Sequence, residues 1–282
     1  MAVIGVTGST GRLGGRVAAR LAGSGARQRL LVRDPSRAPQ LSGADVVAAS
    51  YDEGAAVSRA LEGVEVALMV SASESVDRVA QHLTFVDAAA AAGVQHLVYV
   101  SFLNAHPDAT FTLARDHWAT EQHIGRSGMS FTFLRDSLYA DDMLRLAGDD
   151  GVIRGPAGDG RASVVAIDDV ADVATEVLLR SAAHRDVAYS VTGPEALTLD
   201  EVAAVLTRRL GRTYRFHDET LEEAYASRAA YDAPDWLVEA WVSTYTAIAA
   251  GEMATVSTAV EHITGRPATS LDELAARIAA DV

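Results

Sequence analysis

A glycine-rich turn close to the start of the chain restricts the fold more than any other feature. The mostly apolar residues 2–6 predict a short buried strand, and a tight turn follows at residues 7–11. Leu13, Val17 and Leu21 then recur every four residues, as on one face of a helix. Strand, turn and helix in this order form a site for a diphosphate, because the N-terminus of the helix offers N–H groups and a partial positive charge.

Three glycines of this stretch have separate roles in such a site. Gly8 allows the sharp turn, Gly11 removes the side chain where backbone approaches the anion, and Gly14 lets the helix pack close to the strand. In its strand–turn–helix context the spacing therefore predicts a dinucleotide-binding turn. The alternative is a structural turn that binds nothing.

Length and composition limit the class of protein. The 282 residues are enough for one large α/β domain, alone or with a smaller appendage. The absence of cysteine excludes disulfides, thiolate catalysis and sulfur-ligated metals, and no metal-ligand spacing is found, so no metal site is predicted. No apolar run approaches the roughly 18 residues of a membrane helix, and the first strand leaves no room for a signal peptide. We therefore expect a cytoplasmic protein without membrane insertion.

The charged residues exclude further classes. A formal net charge of −14 argues against a nucleic-acid-binding surface, which needs a basic footprint. All 24 residues counted as lysine or arginine are arginine. Because the chain has no lysine, it cannot use Schiff-base chemistry, a lysine general base or a tyrosine–lysine catalytic pair.

Strand and helix patterns alternate over the first two thirds of the chain. This alternation predicts an α/β fold with a doubly wound parallel sheet and helices on both faces. The loop-rich residues 148–161 mark the start of a small C-terminal α/β lobe that interleaves with the sheet. We therefore divide the chain into a nucleotide-binding domain of residues 1–147 and a substrate lobe of residues 148–282, with residues 163–192 partly returning to the sheet.

The second predicted strand, residues 29–33, ends about 20 residues after the glycine turn, where this fold contacts the adenosine ribose. An acidic side chain there binds the ribose 2′-hydroxyl, whereas arginine matches a 2′-phosphate. The strand ends in Arg33, and Arg37 follows. We expect Arg12 of the glycine turn to reach the same phosphate. These residues favour NADPH over NADH. Asp34 keeps NADH as the alternative, and a solvated strand-end charge is the other interpretation of Arg33.

Further coenzyme contacts are expected at the carboxyl ends of the predicted strands, where ligands of doubly wound sheets lie. They are Tyr51 and Asp52 near the adenine, Ser71 and Ala72 where small residues let the coenzyme pass, and Ser101, Phe102 and Leu103 near the nicotinamide. Phe102 and Leu103 are also predicted substrate contacts. Ordinary loop packing is the alternative for these two.

Two side chains are candidates for proton transfer. His117 lies on a predicted helix one turn before Glu121, and imidazole exchanges protons near neutral pH. We predict that His117 orients the nicotinamide ribose or acts as an acid, with a structural hydrogen bond as the alternative. Tyr139 is a second candidate donor at the substrate side, and a packed tyrosine is its alternative. His82 and His123 are interpreted as surface or partly buried residues without a role.

An apolar and aromatic stripe occurs at helical spacing in the C-terminal third. It consists of Trp236, Leu237, Trp241, Tyr245 and Ile248. Such a stripe is more typical of a core or pocket wall than of a cofactor site. The face of a homodimer is the alternative.

Six segments together carry a family resemblance. They are residues 7–14 (TGSTGRLG), 32–38 (VRDPSRA), 50–53 (SYDE), 88–101 (AAAAAGVQHLVYVS), 117–143 (HWATEQHIGRSGMSFTFLRDSLYADDM) and 251–274 (GEMATVSTAVEHITGRPATSLDEL). The chain resembles the NmrA-like group of atypical short-chain dehydrogenase/reductases, and within it the bacterial NAD(P)H:quinone oxidoreductases. The resemblance implies a Rossmann-like domain with a C-terminal substrate lobe and NADPH as cofactor. The coenzyme contacts that it implies are Gly8, Thr10, Gly11, Arg12 and Leu13 on the pyrophosphate, Arg33 on the 2′-phosphate, and Ser71 and Ser101 along the coenzyme. Ser9, in the same turn, is a further predicted coenzyme contact.

The chain departs from this group at two places. Leu113 and His117 stand where the wider superfamily has its catalytic tyrosine and lysine, which argues against the usual proton relay. Asp136 and Asp142 stand where the quinone reductases have asparagine, a difference that bears on the substrate.

These observations favour an NADPH-dependent oxidoreductase that transfers hydride to a small quinone-like or conjugated carbonyl acceptor. A quinone places the incoming charge on oxygens, so water or one modest acid can supply the proton while the protein holds the two rings together. Two alternatives stay open, because fold alone does not define function. One is an NADP(H)-binding redox sensor without catalysis, and the other is a tailoring reductase or isomerase in natural-product biosynthesis.

Overall fold

A computed structural model describes residues 3–280 of the chain. Ala2, which the predicted first strand included, lies outside the described residues. The strands are β1 (Val3–Thr7), β2 (Gln28–Val32), β3 (Ala44–Ala48), β4 (Val64–Val70), β5 (His96–Phe102), β6 (Ser130–Asp136), β7 (Val152–Gly155), β8 (Arg161–Ala162), β9 (Val187–Val191), β10 (Leu197–Thr198) and β11 (Arg215–Asp218). The helices are α1 (Arg12–Gly23), α2 (Gly54–Leu61), α3 (Arg78–Ala91), α4 (Thr112–Ile124), α5 (Ala140–Leu146), α6 (Ile167–Leu179), α7 (Leu199–Leu210), α8 (Leu221–Arg228), α9 (Asp235–Ala249), α10 (Ala259–Thr264) and α11 (Leu271–Ala280).

Seven strands form the central sheet in the order β3-β2-β1-β4-β5-β6-β9. The four pairs from β3 to β5 are parallel, and Gly5 of β1 lies opposite Arg29 on one side and Ala67 on the other. The chain proceeds outwards from β1 in one direction and then from β4 in the other. The carboxyl ends of β1 and β4 therefore border the point where the winding reverses, which is where such sheets bind ligands. The predicted doubly wound, Rossmann-like fold is confirmed.

The apolar pattern of the sequence explains the core of this sheet. The predicted helical stripe of Leu13, Val17 and Leu21 is buried on α1. On β5 every residue from His96 to Ser101 is buried, as expected for a central parallel strand that is covered on both faces. Each large apolar side chain buried in this way contributes about 1.5–3 kcal/mol relative to its exposed state.

Contacts within the chain divide it into two compact units. Among the described residues, unit 1 comprises residues 3–102, Asp116–Arg135 and Val170–Tyr189, and unit 2 comprises Leu103–Arg115, Asp136–Asp169 and residues 190–280. In this division the chain enters unit 2 directly after β5 and again at the last residue of β6, and it returns to unit 1 at Val170–Tyr189. The domain boundary at residue 147 stays a prediction.

Unit 2 has its own small sheets. Strands β8 and β10 pair antiparallel, whereas β7 and β11 pair parallel. Helix α7 begins with a reciprocal capping box between Thr198 and Glu201, in which each side chain binds the backbone N–H of the other. No helix among residues 3–280 combines the length and apolar character that crossing a bilayer requires.

Candidate functional site

The glycine turn has the geometry that an anion-binding turn requires. Gly8 adopts a positive φ of 66°, and the Gly11 N–H closes the turn on the Gly8 carbonyl oxygen at 2.8 Å. A Cβ atom at Gly14 would lie 2.5 Å from the Gly8 carbonyl carbon and 2.7 Å from the Thr7 oxygen, closer than real side chains approach. The helix start can therefore pack against the turn only if residue 14 is glycine.

Two buried hydroxyl groups, one in this turn and one after β4, are suited to bind a polar ligand. The Oγ atoms of Ser9 and Ser75 are buried and have no hydrogen-bond partner. Buried hydroxyls are normally paired, since leaving one unpaired costs roughly 1–3 kcal/mol. Together with the glycines of the turn, these hydroxyls fit the phosphates of a dinucleotide.

A cavity of about 280 Å³ lies in unit 1 at the carboxyl ends of β1, β2 and β4, and we call it the unit 1 cavity. It is lined by Gly8, Thr10, Leu31, Val32, Arg33, Ala49, Ser50, Tyr51, Val70, Ser71, Ala72, Ser73, Ser75 and Gln81. Six of the predicted coenzyme contacts are thus brought together. They are Gly8, Thr10, Arg33, Tyr51, Ser71 and Ala72. The sequence analysis did not predict that Ser75 and Gln81 line this cavity. The polar residues that follow β4 were the signal that could have indicated them.

Arg33 and Asp34 are the two residues that bear on the choice of coenzyme. They differ in how available their side chains are to bind the ribose or its phosphate. Arg33 directly follows β2 and lines the cavity. The Asp34 carboxylate instead accepts hydrogen bonds from the Ser36 N–H at 3.0 Å and the Ser36 hydroxyl at 2.7 Å, and these bonds lower the pKa of Asp34. One oxygen of the Asp34 carboxylate is therefore already bound by Ser36. This arrangement favours Arg33, and hence a 2′-phosphate, at the ribose position.

Tyr51 connects two central strands at the floor of the cavity. Its hydroxyl donates towards the Thr7 hydroxyl and the Val70 carbonyl, each at 2.6 Å. The Val70 N–H donates to the same Thr7 oxygen at 2.9 Å. Burial raises the pKa of Tyr51 far above its usual value, so the phenol stays neutral. We conclude that Tyr51 holds β1 and β4 in place beside the unit 1 cavity.

The segment after β4 is held by two buried side chains of α3. The Ala72 N–H donates to Nε2 of His82 at 2.8 Å, and Nε of Arg78 donates to the Ala72 carbonyl oxygen at 3.0 Å. His82 is fully buried, and burial together with the Arg78 charge lowers its pKa to about 3. The interpretation of His82 as a surface or partly buried residue without a role is therefore wrong, because its ring fixes the backbone at a cavity-lining residue.

His117, a predicted catalytic residue, is 5% exposed and has a partner at each ring nitrogen. Arg78 Nη2 lies 2.9 Å from Nε2, and the Tyr99 hydroxyl lies 2.9 Å from Nδ1. Burial first, and then the charges of Arg78 and His82, hold the pKa of His117 well below its usual value. The ring of Phe102 lies 6.0 Å from the His117 ring. This environment favours a neutral, structural imidazole, and the role of His117 as an acid stays a prediction.

Ser101, at the end of β5, is buried in a polar cluster of unit 1. Its hydroxyl donates to Glu121 at 2.6 Å, and Arg135 binds both carboxylate oxygens of Glu121 at 2.9 and 2.5 Å. Glu121 is thus paired with Arg135, not with His117 one turn away. The predicted contact of Ser101 with the coenzyme stays a prediction.

Unit 2 contains a second, larger cavity of about 580 Å³, which we call the unit 2 cavity. Its lining residues are Leu138, Tyr139, Asp142, Met143, Arg145, Leu146, Ala147, Gly148, Val152, Arg154, Leu199, Ser227, Arg228, Tyr231, Trp241, Thr244, Tyr245 and Ile248. Three members of the predicted stripe, Trp241, Tyr245 and Ile248, belong to this wall, as expected for a pocket. The lining is mainly apolar and aromatic with a few polar groups, which is typical of small-molecule sites.

Tyr139 lines the unit 2 cavity, and its hydroxyl donates to the Asp136 carboxyl group at 2.6 Å. Other predicted residues line neither of the two cavities. These are Ser9, Gly11, Arg12, Leu13, Asp52, Ser101, Phe102, Leu103 and His117. The Leu103 side chain is buried, and its N–H binds the Asp136 carbonyl oxygen at 2.8 Å. The contacts predicted for these residues stay predictions.

A doubly wound parallel sheet, a glycine turn of this geometry and an arginine-lined cavity at the end of β2 define a dinucleotide-binding α/β protein. Sequence comparison identifies its family. The model of the NmrA-like family matches residues 1–259, and the chain belongs to this family.

Characterised relatives match the chain nearly end to end. It is 38% identical to the (4-alkanoyl-5-oxo-2,5-dihydrofuran-3-yl)methyl phosphate reductase of Streptomyces griseus, over 93% of each chain. It is 32% identical to quinone oxidoreductase 2 of Escherichia coli, over 96% of each chain.

Solved structures agree with the fold. The Escherichia coli quinone oxidoreductase QOR2 complexed with NADPH superimposes with a TM-score of 0.89 at 31% identity, covering 98% of this chain and 99% of the other. The triphenylmethane reductase of Citrobacter sp. complexed with NADP(H) has a TM-score of 0.86 at 28% identity, covering 98% of this chain and 99% of the other.

Proposed function

We propose that the protein is an NADPH-dependent oxidoreductase that reduces small quinone-like or conjugated carbonyl acceptors. The observation that carries this proposal is the arginine-lined cavity beside a glycine turn, in a chain with three relatives of 32–38% identity that are named as reductases or oxidoreductases. Two relatives have been solved with NADPH or NADP(H).

The residues of unit 1 account for the choice and placement of the coenzyme. The turn from Gly8 to Gly11 and the first N–H groups of α1 hold the diphosphate, and Arg33 binds the 2′-phosphate. The backbone of Ser71 and Ala72 forms the far wall, which His82 and Arg78 keep in one conformation. When bound, the coenzyme supplies the hydride and both electrons of the reduction.

Unit 2 supplies the acceptor site in this proposal. Its cavity of about 580 Å³ is large enough for a ring system, since small-molecule sites span roughly 300–1,000 Å³. Trp241 and Tyr245 offer flat apolar faces, and Tyr139 offers a hydroxyl to an acceptor oxygen. Reduction of a quinone requires only one such donor, so the absence of the tyrosine–lysine pair is no obstacle.

A second candidate acceptor has its own support. The relative at 38% identity is named as a reductase of a conjugated butenolide that carries a phosphate. Arg145 lines the unit 2 cavity, and the structure shows no ion pair for it among residues 3–280. Arg154 and Arg228 line the same cavity but are bound to Asp150 and Glu219. The guanidinium of Arg145 is therefore available to bind an anionic substituent on the acceptor.

The experiment mixes purified protein, NADPH and a panel of quinones and butenolide phosphates, and follows the absorbance of the reduced nicotinamide. Steady, acceptor-dependent consumption supports the proposal. Tight binding of NADPH without consumption by any acceptor supports the redox sensor instead. A fast reaction with the butenolide alone would indicate the tailoring reductase. The expected partner is a small molecule, while a homodimer and a cytoplasmic location stay predictions.

A further inference from the structure

Asp136 differs from every other buried carboxylic acid among the described residues. Glu121, Asp169 and Glu219 are also buried, and each forms an ion pair with an arginine, at 2.5, 2.8 and 2.9 Å respectively. Asp136 is 4% exposed and has no ion pair within residues 3–280. Its side-chain partner is the Tyr139 hydroxyl at 2.6 Å.

A buried carboxyl group without a cation is stable mainly in its protonated form, because burial penalises the charge. Burial raises the pKa of Asp136 to about 8, although the hydrogen bonds from Tyr139 and from the backbone N–H of Asp136 itself act in the opposite direction. The charged groups that share the cavity with Tyr139 are Asp142, Arg145, Arg154 and Arg228. None of them is among the causes of this pKa shift.

The backbone holds Tyr139 in a fixed place between Asp136 and the cavity. Tyr139 immediately precedes α5, and its neighbours exchange hydrogen bonds with Val165. The Val165 N–H donates to the Leu138 carbonyl oxygen at 2.9 Å, and the Ala140 N–H donates to the Val165 carbonyl oxygen at 2.8 Å. The phenol can therefore contact Asp136 on one side while its half-buried ring lines the unit 2 cavity on the other.

We propose that Asp136 and Tyr139 form a proton-delivery pair for the acceptor, in which Tyr139 is the catalytic donor and Asp136 the positioning residue that restores its proton. This inference rests on the proposed function, since it needs an acceptor in the unit 2 cavity. In the structure the Tyr139 hydroxyl donates to Asp136 over 2.6 Å. For proton delivery the same contact reverses, so that a protonated Asp136 donates to the Tyr139 oxygen and the Tyr139 O–H is directed at an acceptor oxygen.

The step balances as follows for a quinone. The acceptor gains two electrons and one hydrogen as a hydride from NADPH, which leaves one negative charge on a quinone oxygen. Tyr139 breaks its O–H bond and transfers that proton to the oxygen, and the new phenolate takes the proton of Asp136. The Asp136 carboxylate then regains a proton from water. The sum is quinone, NADPH and one proton giving hydroquinone and NADP⁺.

The test compares the wild type with Asp136→Asn in single-turnover reactions with NADPH and a soluble quinone, across pH. Asparagine keeps the size of the side chain and an acceptor oxygen for Tyr139 but carries no transferable proton. The turnover rate at neutral pH is expected to fall at least about tenfold, as part of the roughly 10²- to 10⁴-fold that general acid catalysis contributes. The wild-type rate is expected to decline above about pH 8, and this decline is expected to vanish in the variant.

A second acceptor separates proton delivery from a structural effect. Reduction of a cationic triphenylmethane dye takes up a hydride at carbon and needs no proton, so its rate is expected to be unchanged within about twofold in Asp136→Asn. Tyr139→Phe is expected to show the same selective loss with the quinone, and the double variant is expected to be no slower than the slower single variant. Asp200→Asn, an exposed substitution on α7, is the matched control and is expected to match the wild type.

The outcomes are distinguishable. Equal quinone rates and equal pH profiles in wild type and Asp136→Asn overturn the inference and leave the proposed function intact. Equal losses with quinone and dye overturn it as well, since they indicate a structural role. If the wild type does not reduce the dye, the pH profile of the variant decides. If the wild type binds NADPH but reduces no acceptor, the proposed function fails, and the inference fails with it.

Discussion

The guanidinium of Arg78 donates a hydrogen bond to Nε2 of His117 over 2.9 Å in the interior of unit 1. Because arginine can only donate, Nε2 of this imidazole is an acceptor and carries no proton. The proton of the neutral ring therefore resides on Nδ1, which donates to the Tyr99 oxygen at 2.9 Å. The same reasoning applies to His82, since its Nε2 accepts from the Ala72 N–H and its Nδ1 faces the Thr120 hydroxyl.

From this arrangement we expect His117 to contribute more to the stability of the fold than to catalysis. His117→Gln is expected to lower the free energy of unfolding by roughly 1–3 kcal/mol, because it leaves the buried Arg78 donor and the buried Tyr99 oxygen poorly paired. The turnover number with a quinone is expected to stay within a few fold of wild type. Denaturant unfolding and steady-state kinetics measure the two effects. A large loss of turnover in a fully stable variant would instead support the acid role that the sequence suggests.

The two buried imidazoles predict that the fold loses stability in acid. The pKa of His82 is about 3 and that of His117 lies well below the usual value, so neither ring takes up a proton in the folded state near pH 6. In the unfolded chain both titrate near about pH 6.5, so the unfolded state binds more protons below that pH and the free energy of unfolding falls as pH drops. It is expected to rise again as pH increases to about 7.

The variant His82→Gln isolates one of these contributions. Below about pH 6 its free energy of unfolding is expected to fall less steeply than that of the wild type, by about 1.4 kcal/mol per pH unit. Urea titrations at several pH values measure the slope. Parallel curves for the two proteins would show that His82 does not carry the effect.

Two glycines of α1 predict opposite responses to the same substitution. Gly14→Ala places a Cβ 2.7 Å from the Thr7 oxygen, and it is expected to cost roughly 2 kcal/mol of stability or more and to abolish NADPH binding. Gly23→Ala meets nothing within 4 Å and is expected to be neutral or to stabilise by about 0.4–1 kcal/mol. Thermal unfolding and coenzyme titration of both variants check this. Normal NADPH binding by Gly14→Ala would exclude the turn as the diphosphate site.

Arg33 predicts the coenzyme preference. Arg33→Ser is expected to weaken NADPH binding roughly 10- to 100-fold, the value of one charge-assisted pair, and to leave NADH binding nearly unchanged. Arg126→Ser, a change of the same kind at an exposed residue outside the unit 1 cavity, is the control. Calorimetric titration with both coenzymes measures the ratio. An equal loss for NADPH and NADH would show that Arg33 does not recognise the phosphate.

A bulky side chain in the wall of the unit 2 cavity is expected to interfere with binding of the acceptor. Thr244→Trp fills part of the cavity wall on α9 and is expected to raise the KM for a quinone at least about tenfold, because the ring loses its space. Ala249→Trp, at an exposed position of the same helix, is expected to leave the KM unchanged. NADPH affinity serves as the internal standard for both variants. An unchanged KM in Thr244→Trp would place the acceptor elsewhere.

Features encoded by residues close together in the chain were predictable. The glycine turn and the buried face of α1 each depend on spacings of a few residues, and both occur as predicted. The alternation of strand and helix likewise determined the doubly wound sheet, because parallel strands need helical crossovers between them. Arg33 was recognisable because its distance along the chain from the glycine turn fixes its place in this fold.

Only the tertiary structure decided the state of the titratable groups. The ring of His82 binds Thr120, which is 38 residues away, and burial at that contact determines its pKa. Whether Asp136 carries a charge depends on its burial without an ion pair among residues 3–280, which no local pattern reveals. Both cavities are assembled from segments distant in sequence. The chain alone therefore determined the fold and the coenzyme turn, whereas burial and long-range pairing, which need the packed structure, decided the chemistry of its polar groups.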